Sequence, residues 1–213
     1  MLPPIILTGT ERSGIPLVTK VLKDAGVYVS TLENWQARSF NKTPHTNLVS
    51  RVLDRLDYDV KGRFPITTNF RAGHKLVRSF QFTVEKTLSV EAKLNDSLWL
   101  YADHRSLLIW DLWSKAYPDA VWLVVRRDDS AIINSCMKTE WMDMFNRSVI
   151  RDAIGVNTAR EGWEWWLRQY NTLISDLMAS AAFVFEVWPD RLQTDNQHLQ
   201  DLLDYCGVVR TVG

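Results

Sequence analysis

Cysteine is almost absent from this chain: Cys136 and Cys206 are the only two among 213 residues. Their separation forms neither a disulfide framework nor a metal-ligand spacing, and both read as small helix residues packed inward. An excess of either charge is absent as well. Lys plus Arg and Asp plus Glu number 25 each, so no global basic field exists and nucleic acid is not the expected partner. Long hydrophobic runs are missing too: none approaches the roughly 20 residues needed to cross a bilayer, which argues against a membrane partner. The stretch after Met1 lacks the basic region and longer apolar segment of a secretory signal, so a cytoplasmic protein is expected. No repeat, low-complexity tract or Ser/Gly linker divides the chain.

What remains is 46% hydrophobic residues, enough for one well-buried α/β domain over residues 1–213. Its organising stretch is Pro4-Ile5-Ile6-Leu7-Thr8-Gly9-Thr10-Glu11-Arg12-Ser13-Gly14-Ile15-Pro16-Leu17. An apolar run leads into a polar, glycine-bounded loop, and Leu17, Val18, Val21, Leu22 and Ala25 then repeat at helix spacing up to Gly26. Strand, loop and helix in that order aim backbone N–H groups and the positive helix end at one point, which is an anion site. The Gly9-x4-Gly14 frame matches a Walker A loop, but Ile15 and Pro16 stand where that motif needs Lys and Ser or Thr. Without the lysine and the magnesium-binding hydroxyl, nucleoside triphosphate hydrolysis is disfavoured and no metal is called for.

A second strand-to-helix passage runs from Val121 through Val125, Arg126 and Arg127 to Ser135. Arg127 at the strand end and Ser135 one or two helical turns on can fork around a second phosphate. A third segment, Leu98-Trp99-Leu100-Tyr101, delivers Asp103 and His104 to the carboxyl end of a strand, where α/β sheets bind their ligands.

These three segments resemble the sulfotransferases that use 3′-phosphoadenosine 5′-phosphosulfate. Gly9 to Gly14 looks like the family's 5′-phosphosulfate loop, and Arg127 to Ser135 looks like its 3′-phosphate motif. Tyr101-Ala102-Asp103-His104-Arg105, with Leu112-Trp113 and Tyr117-Pro118-Asp119-Ala120, is similar to the segment ahead of the 3′-phosphate strand in bacterial members. Phe183 to Trp188 and the helix to Cys206-Gly207 look like its last strand and closing helix. The resemblance implies a donor held by Thr10, Glu11, Arg12, Ser13, Gly14, Ile15, Pro16, Arg127 and Ser135, with Arg12 neutralising developing charge. His104 or Asp103 would take the acceptor's proton. Asp103 reads equally well as a helix cap and His104 as a hydrogen-bonded histidine.

Departures accompany the likeness. Ile15 and Pro16 replace a hydroxyl pair, and proline has no N–H to donate. Ala102 stands where many relatives have lysine, leaving Arg12, Arg105 or Lys75 to supply positive charge. Trp141 and Trp165 fall off the helical stripes and are the aromatic candidates for an acceptor cleft, whereas the other tryptophans of the stretch from 160 to 178 read as core.

The expectation is a three-layer α/β/α fold around a parallel sheet of about five strands, with segments near 30–97 and 139–160 capping an acceptor side. The expected activity is sulfuryl transfer to a hydroxyl or amine of a small-molecule or carbohydrate acceptor. Two alternatives stand beside it: a non-catalytic nucleotide- or sulfate-binding protein of the same fold, and an atypical phosphotransferase.

Overall fold

The computed structural model describes residues 2–29, 48–54, 71–90 and 98–208. Its strands are β1 (Ile5–Gly9), β2 (Tyr28–Val29), β3 (Trp99–Ala102), β4 (Val121–Val125) and β5 (Val184–Val187). They form one parallel sheet in the order β2-β3-β1-β4-β5, as the apolar runs predict. Strands buried on both faces read as continuous apolar segments, which is the pattern of Ile5-Ile6-Leu7 and of Val121 to Val125. Ile5 pairs with both Leu100 and Val121, and Gly9 lies opposite Val125. The carboxyl ends of β1, β3 and β4 therefore share one edge. The chain starts in the middle of the sheet, builds one side, then crosses to the other, which leaves a crevice at that edge.

The helices are α1 (Ile15–Asp24), α2 (Leu48–Asp54), α3 (His74–Val90), α4 (Trp110–Ala116), α5 (Asp129–Lys138), α6 (Ser148–Ile154), α7 (Ala159–Ser180), α8 (Pro189–Leu192) and α9 (Asn196–Tyr205). Alternation along the strands divides them into two layers. Ile6, Tyr101, Trp122 and Val124 pack with side chains of α2 to α5 and α7, while Ile5, Leu7, Leu100, Leu123 and Val125 pack with α1 and α9. Three layers follow from a period of two. Both cysteines are buried and free, and burial pushes each thiol up to about 12, so they behave as small core residues.

The tryptophans are mainly structural. Trp113, Trp122, Trp163 and Trp166 are among the largest fully buried side chains, and Phe145, Trp163, Trp166 and Tyr170 form a chain of ring contacts along α7. Gly162 makes the first of these possible: a Cβ there would lie 2.4 Å from Phe145 Cγ. The helix itself opens on a capping box between Thr158 and Glu161.

Of the expected cap, residues 30–47, 55–70 and 91–97, with Trp35, Arg38 and His45 among them, lie outside the described residues. Within 139–160 the chain forms a short 3-10 turn (Met144–Asn146) and α6, and Met142, Met144 and Phe145 point into the core. Trp141 is 45% exposed, whereas Trp165 packs partly buried against the larger core.

Candidate active site at the carboxyl edge of the sheet

The loop after β1 is shaped by steric necessity. Gly9 has φ +152°, and a Cβ there would lie 2.6 Å from the Val125 carbonyl of β4, so only glycine lets the two strand tips meet. Ser13 closes the turn by donating from its N–H (3.2 Å) and from its hydroxyl (2.6 Å) to the Thr10 carbonyl. Arg12 sits in the left-handed region at φ 67°, uncommon for a residue with a side chain and a mark of a constrained turn. Gly14, at φ +108°, caps α1, and Pro189 at the start of α8 packs so close that a Cβ on Gly14 would lie 2.9 Å from its Cγ.

The helix end offers fewer donors than an ordinary anion-binding terminus. Pro16 carries no N–H, and the N–H groups of Leu17 and Val18 already reach the Gly14 carbonyl at 3.0 and 3.4 Å. Ile15 is buried in the smaller core, while Pro16 is exposed.

Cations gather on the β4 side. Arg12 donates through Nε to Ser135 Oγ at 2.9 Å, and Arg127 donates through Nη1 to the Arg12 carbonyl at 3.0 Å. Arg127 and Ser135 thus meet through Arg12, and the two segments predicted to grip separate phosphates are joined at one point. The Thr10 hydroxyl is buried and has no hydrogen-bond partner among the described residues. Beside it a recess of about 10 Å³, the size of one water, is lined by Thr10, Arg126, Arg127, Asp129 and Asn171 among others. Arg126 is spent on Glu186 at 3.3 Å.

The β3 side carries the acid–base groups. Thr8 Oγ1 donates to the carbonyls of Asp103 and His104, each at 3.2 Å, tying the segment to β1. Asp103 caps a 3-10 turn (His104–Ile109) by accepting from the Arg105 N–H at 2.8 Å, and Arg105 Nε and Nη2 occupy its two carboxylate oxygens at 3.0 and 2.9 Å. Burial alone would raise this carboxyl, but the Arg105 guanidinium and His104 outweigh it and hold it below the usual 3.8. The same pairing, against burial, holds Arg105 above its ordinary value. His104 Nδ1 stands 3.8 Å from Asp103 Oδ1, and its Nε2 stands 4.0 Å from Glu11 Oε2.

Of the other predicted sources of charge, Arg105 is committed to Asp103, and Lys75 is exposed on α3. Ala102 is buried in the smaller core that also holds Ile15 and Val18. Thr8 and Glu11 acquire their roles only in three dimensions. Thr8 had a sequence signal, a hydroxyl in an apolar strand; the approach of Glu11 to His104 had none. Asp111 was also missed: it accepts from the Ala72 N–H at 2.6 Å and from Lys115 at 2.9 Å, fixing the entry to α3. Among the described residues no group of three or more His, Cys, Asp or Glu is placed to hold a metal ion, and no helix is long and apolar enough to cross a membrane.

No protein-family model matches the sequence, and no curated protein matches it either. Solved structures do. A sulfotransferase from Mycobacterium avium superposes with a TM-score of 0.60 at 14% identity, over 98% of this chain and 64% of that one. The sulfotransferase domain of the Synechococcus PCC 7002 olefin synthase gives 0.56 at 16% identity, over 98% and 74%. A sulfotransferase from Alicyclobacillus acidocaldarius gives 0.57 at 12% identity, over 98% and 82%. The chain spans less than two thirds of the mycobacterial protein's length. At these identities the likeness is one of fold.

Proposed function

We propose that this sulfotransferase-like fold moves a sulfuryl group from 3′-phosphoadenosine 5′-phosphosulfate to a hydroxyl or amine of a small-molecule or carbohydrate acceptor. The observation that carries the reading is the meeting of Arg12, Ser135 and Arg127 at the sheet edge that also holds His104. The residues suit an anion of this kind. The buried Thr10 hydroxyl without a partner among the described residues, the α1 N-terminus and two guanidiniums match a ligand with two separate phosphate groups.

When bound, the co-substrate supplies an activated sulfuryl group, whose bond to the 5′-phosphate oxygen breaks as the bond to the acceptor forms. Arg12, with Thr10, Ser13 and Gly14, holds the 5′ end and offsets charge developing there. Arg127 and Ser135 hold the 3′-phosphate. His104 takes the acceptor's proton at Nε2. Asp103 is the weaker candidate for that task, since Arg105 engages both of its oxygens. Rate enhancement then comes from positioning and fixed charge.

One observation favours a second reading, a non-catalytic nucleotide-binding protein: Pro16 removes a donor at the phosphate end. Isothermal titration with 3′-phosphoadenosine 5′-phosphate in magnesium-free buffer tests both. Micromolar binding, weakened about tenfold or more in Arg12→Ala and in Arg127→Ala, is expected. Absence of binding at millimolar nucleotide overturns the assignment. Release of the desulfated nucleotide in an acceptor screen separates transfer from binding alone, and a magnesium requirement would point to phosphoryl transfer instead.

A further inference from the structure

Glu11 is out of place in an anion loop. A carboxylate among groups that receive phosphate opposes the ligand's charge, yet the loop turns this one aside. Arg12, in its left-handed conformation, sends its guanidinium to Ser135 on α5. Glu11 goes the other way, to His104 at the end of β3, with Oε2 4.0 Å from Nε2. Both side chains are largely buried there, 15% exposed for Glu11 and 22% for His104.

The imidazole therefore stands between two carboxylates of unequal standing. Asp103, near Nδ1, is neutralised by the two-pronged Arg105 contact. Glu11, near Nε2, has His104 as its sole ion partner among the described residues. Glu11 from the loop and Asp103 from its own segment face the His104 ring, and Arg105 pairs with Asp103. Tyr101 of β3 and Tyr170 of α7 act electrostatically on Arg105.

We propose that Glu11 is a positioning residue for His104 and not a ligand of the donor. The inference rests on the functional reading above and adds a role to it. A proton arriving at Nε2 makes an imidazolium about one ion-pair distance from a carboxylate that has no other ion partner among the described residues, which favours the protonated form and fixes the ring's edge toward the loop. The loop that grips the donor thereby also holds the base.

The test needs no acceptor. Long-range ¹H–¹⁵N spectra are recorded against pH for the parent protein, Glu11→Gln and Glu11→Asp, with His104→Asn to identify the signals. The titration midpoint of His104 is expected to fall by at least about half a unit in Glu11→Gln and by less in Glu11→Asp. The signals of His198, whose Nε2 accepts from the Trp188 N–H at 3.1 Å, stay unchanged and report an intact fold. A His104 midpoint that moves by less than about a fifth of a unit in Glu11→Gln, with His198 unchanged, overturns the proposal. In parallel, Glu11→Gln retains or gains affinity for 3′-phosphoadenosine 5′-phosphate; a tenfold loss would return Glu11 to the donor ligands. If the parent protein does not bind this nucleotide, the sulfuryl-transfer reading fails, and the His104 titration still decides the pairing.

Discussion

Arg12 Nε donates to Ser135 Oγ at 2.9 Å across 123 residues of sequence. One hydroxyl thereby aims the guanidinium of the β1 loop at the second turn of α5, and Arg127 holds the same loop through the Arg12 carbonyl. Ser135→Ala removes the hydroxyl while leaving both cations in place. The expected result is a five- to tenfold loss of affinity for 3′-phosphoadenosine 5′-phosphate, roughly 1 to 1.5 kcal/mol for one hydrogen bond to a charged group. Calorimetric titration checks it, and an unchanged melting temperature shows the loss to be local.

Pro16 is exposed and Ile15 is buried, so the two departures at the start of α1 are separable. Pro16→Thr restores an N–H and a hydroxyl at the second position of α1 without disturbing the core. Nucleotide affinity is expected to rise about three- to tenfold. Ile15→Thr, by contrast, removes an apolar side chain from the smaller core and is expected to destabilise by roughly 1 to 2 kcal/mol in denaturant unfolding.

Asp103 and Arg105 form a buried, two-pronged pair. Asp103→Asn removes the carboxylate charge that Arg105 Nε and Nη2 engage, and a loss of about 3 to 5 kcal/mol in unfolding free energy near neutral pH is expected. The pH dependence has a defined sign. Because the folded carboxyl lies below its ordinary value of 3.8, its contribution is complete above that pH and is lost as pH falls through the folded value. The stability gap between parent and variant should therefore close in acid, as urea unfolding at a series of pH values would reveal.

Gly162 lies inside α7, where alanine would ordinarily stabilise a helix by about 1 kcal/mol. Contact with Phe145 reverses the expectation, since a Cβ would stand 2.4 Å from the ring. Gly162→Ala is expected to lower stability by roughly 1 to 3 kcal/mol, and the double variant Gly162→Ala, Phe145→Leu to recover part of the loss. A thermal unfolding series decides it.

Much of this is legible in the sequence. The strand runs of Ile5 to Leu7, Val121 to Val125 and Phe183 to Val187, and the stripe of Trp163, Trp166, Leu167, Tyr170 and Leu173, are local patterns, and their elements form there, the last strand starting at Val184 and only half-buried at the sheet edge. Asp103 as a cap was equally local, an acid just before a turn. Helices α4 and α6, seven residues each, are too short for a periodic stripe and were not anticipated.

The sequence by itself determined the parallel α/β layout, the glycine-framed loop ahead of α1 and the interval from Arg127, just before α5, to Ser135 within it, because each depends on spacing within one or two turns of chain. Tertiary structure alone decided which side chains meet. Arg12 reaches Ser135, Arg105 is consumed by Asp103, Pro189 presses on Gly14, and Glu11 turns to His104. Those encounters depend on strand order, which brings β1 between β3 and β4, and on the sign of one backbone angle at Arg12. Neither is written in the period of the residues that use them.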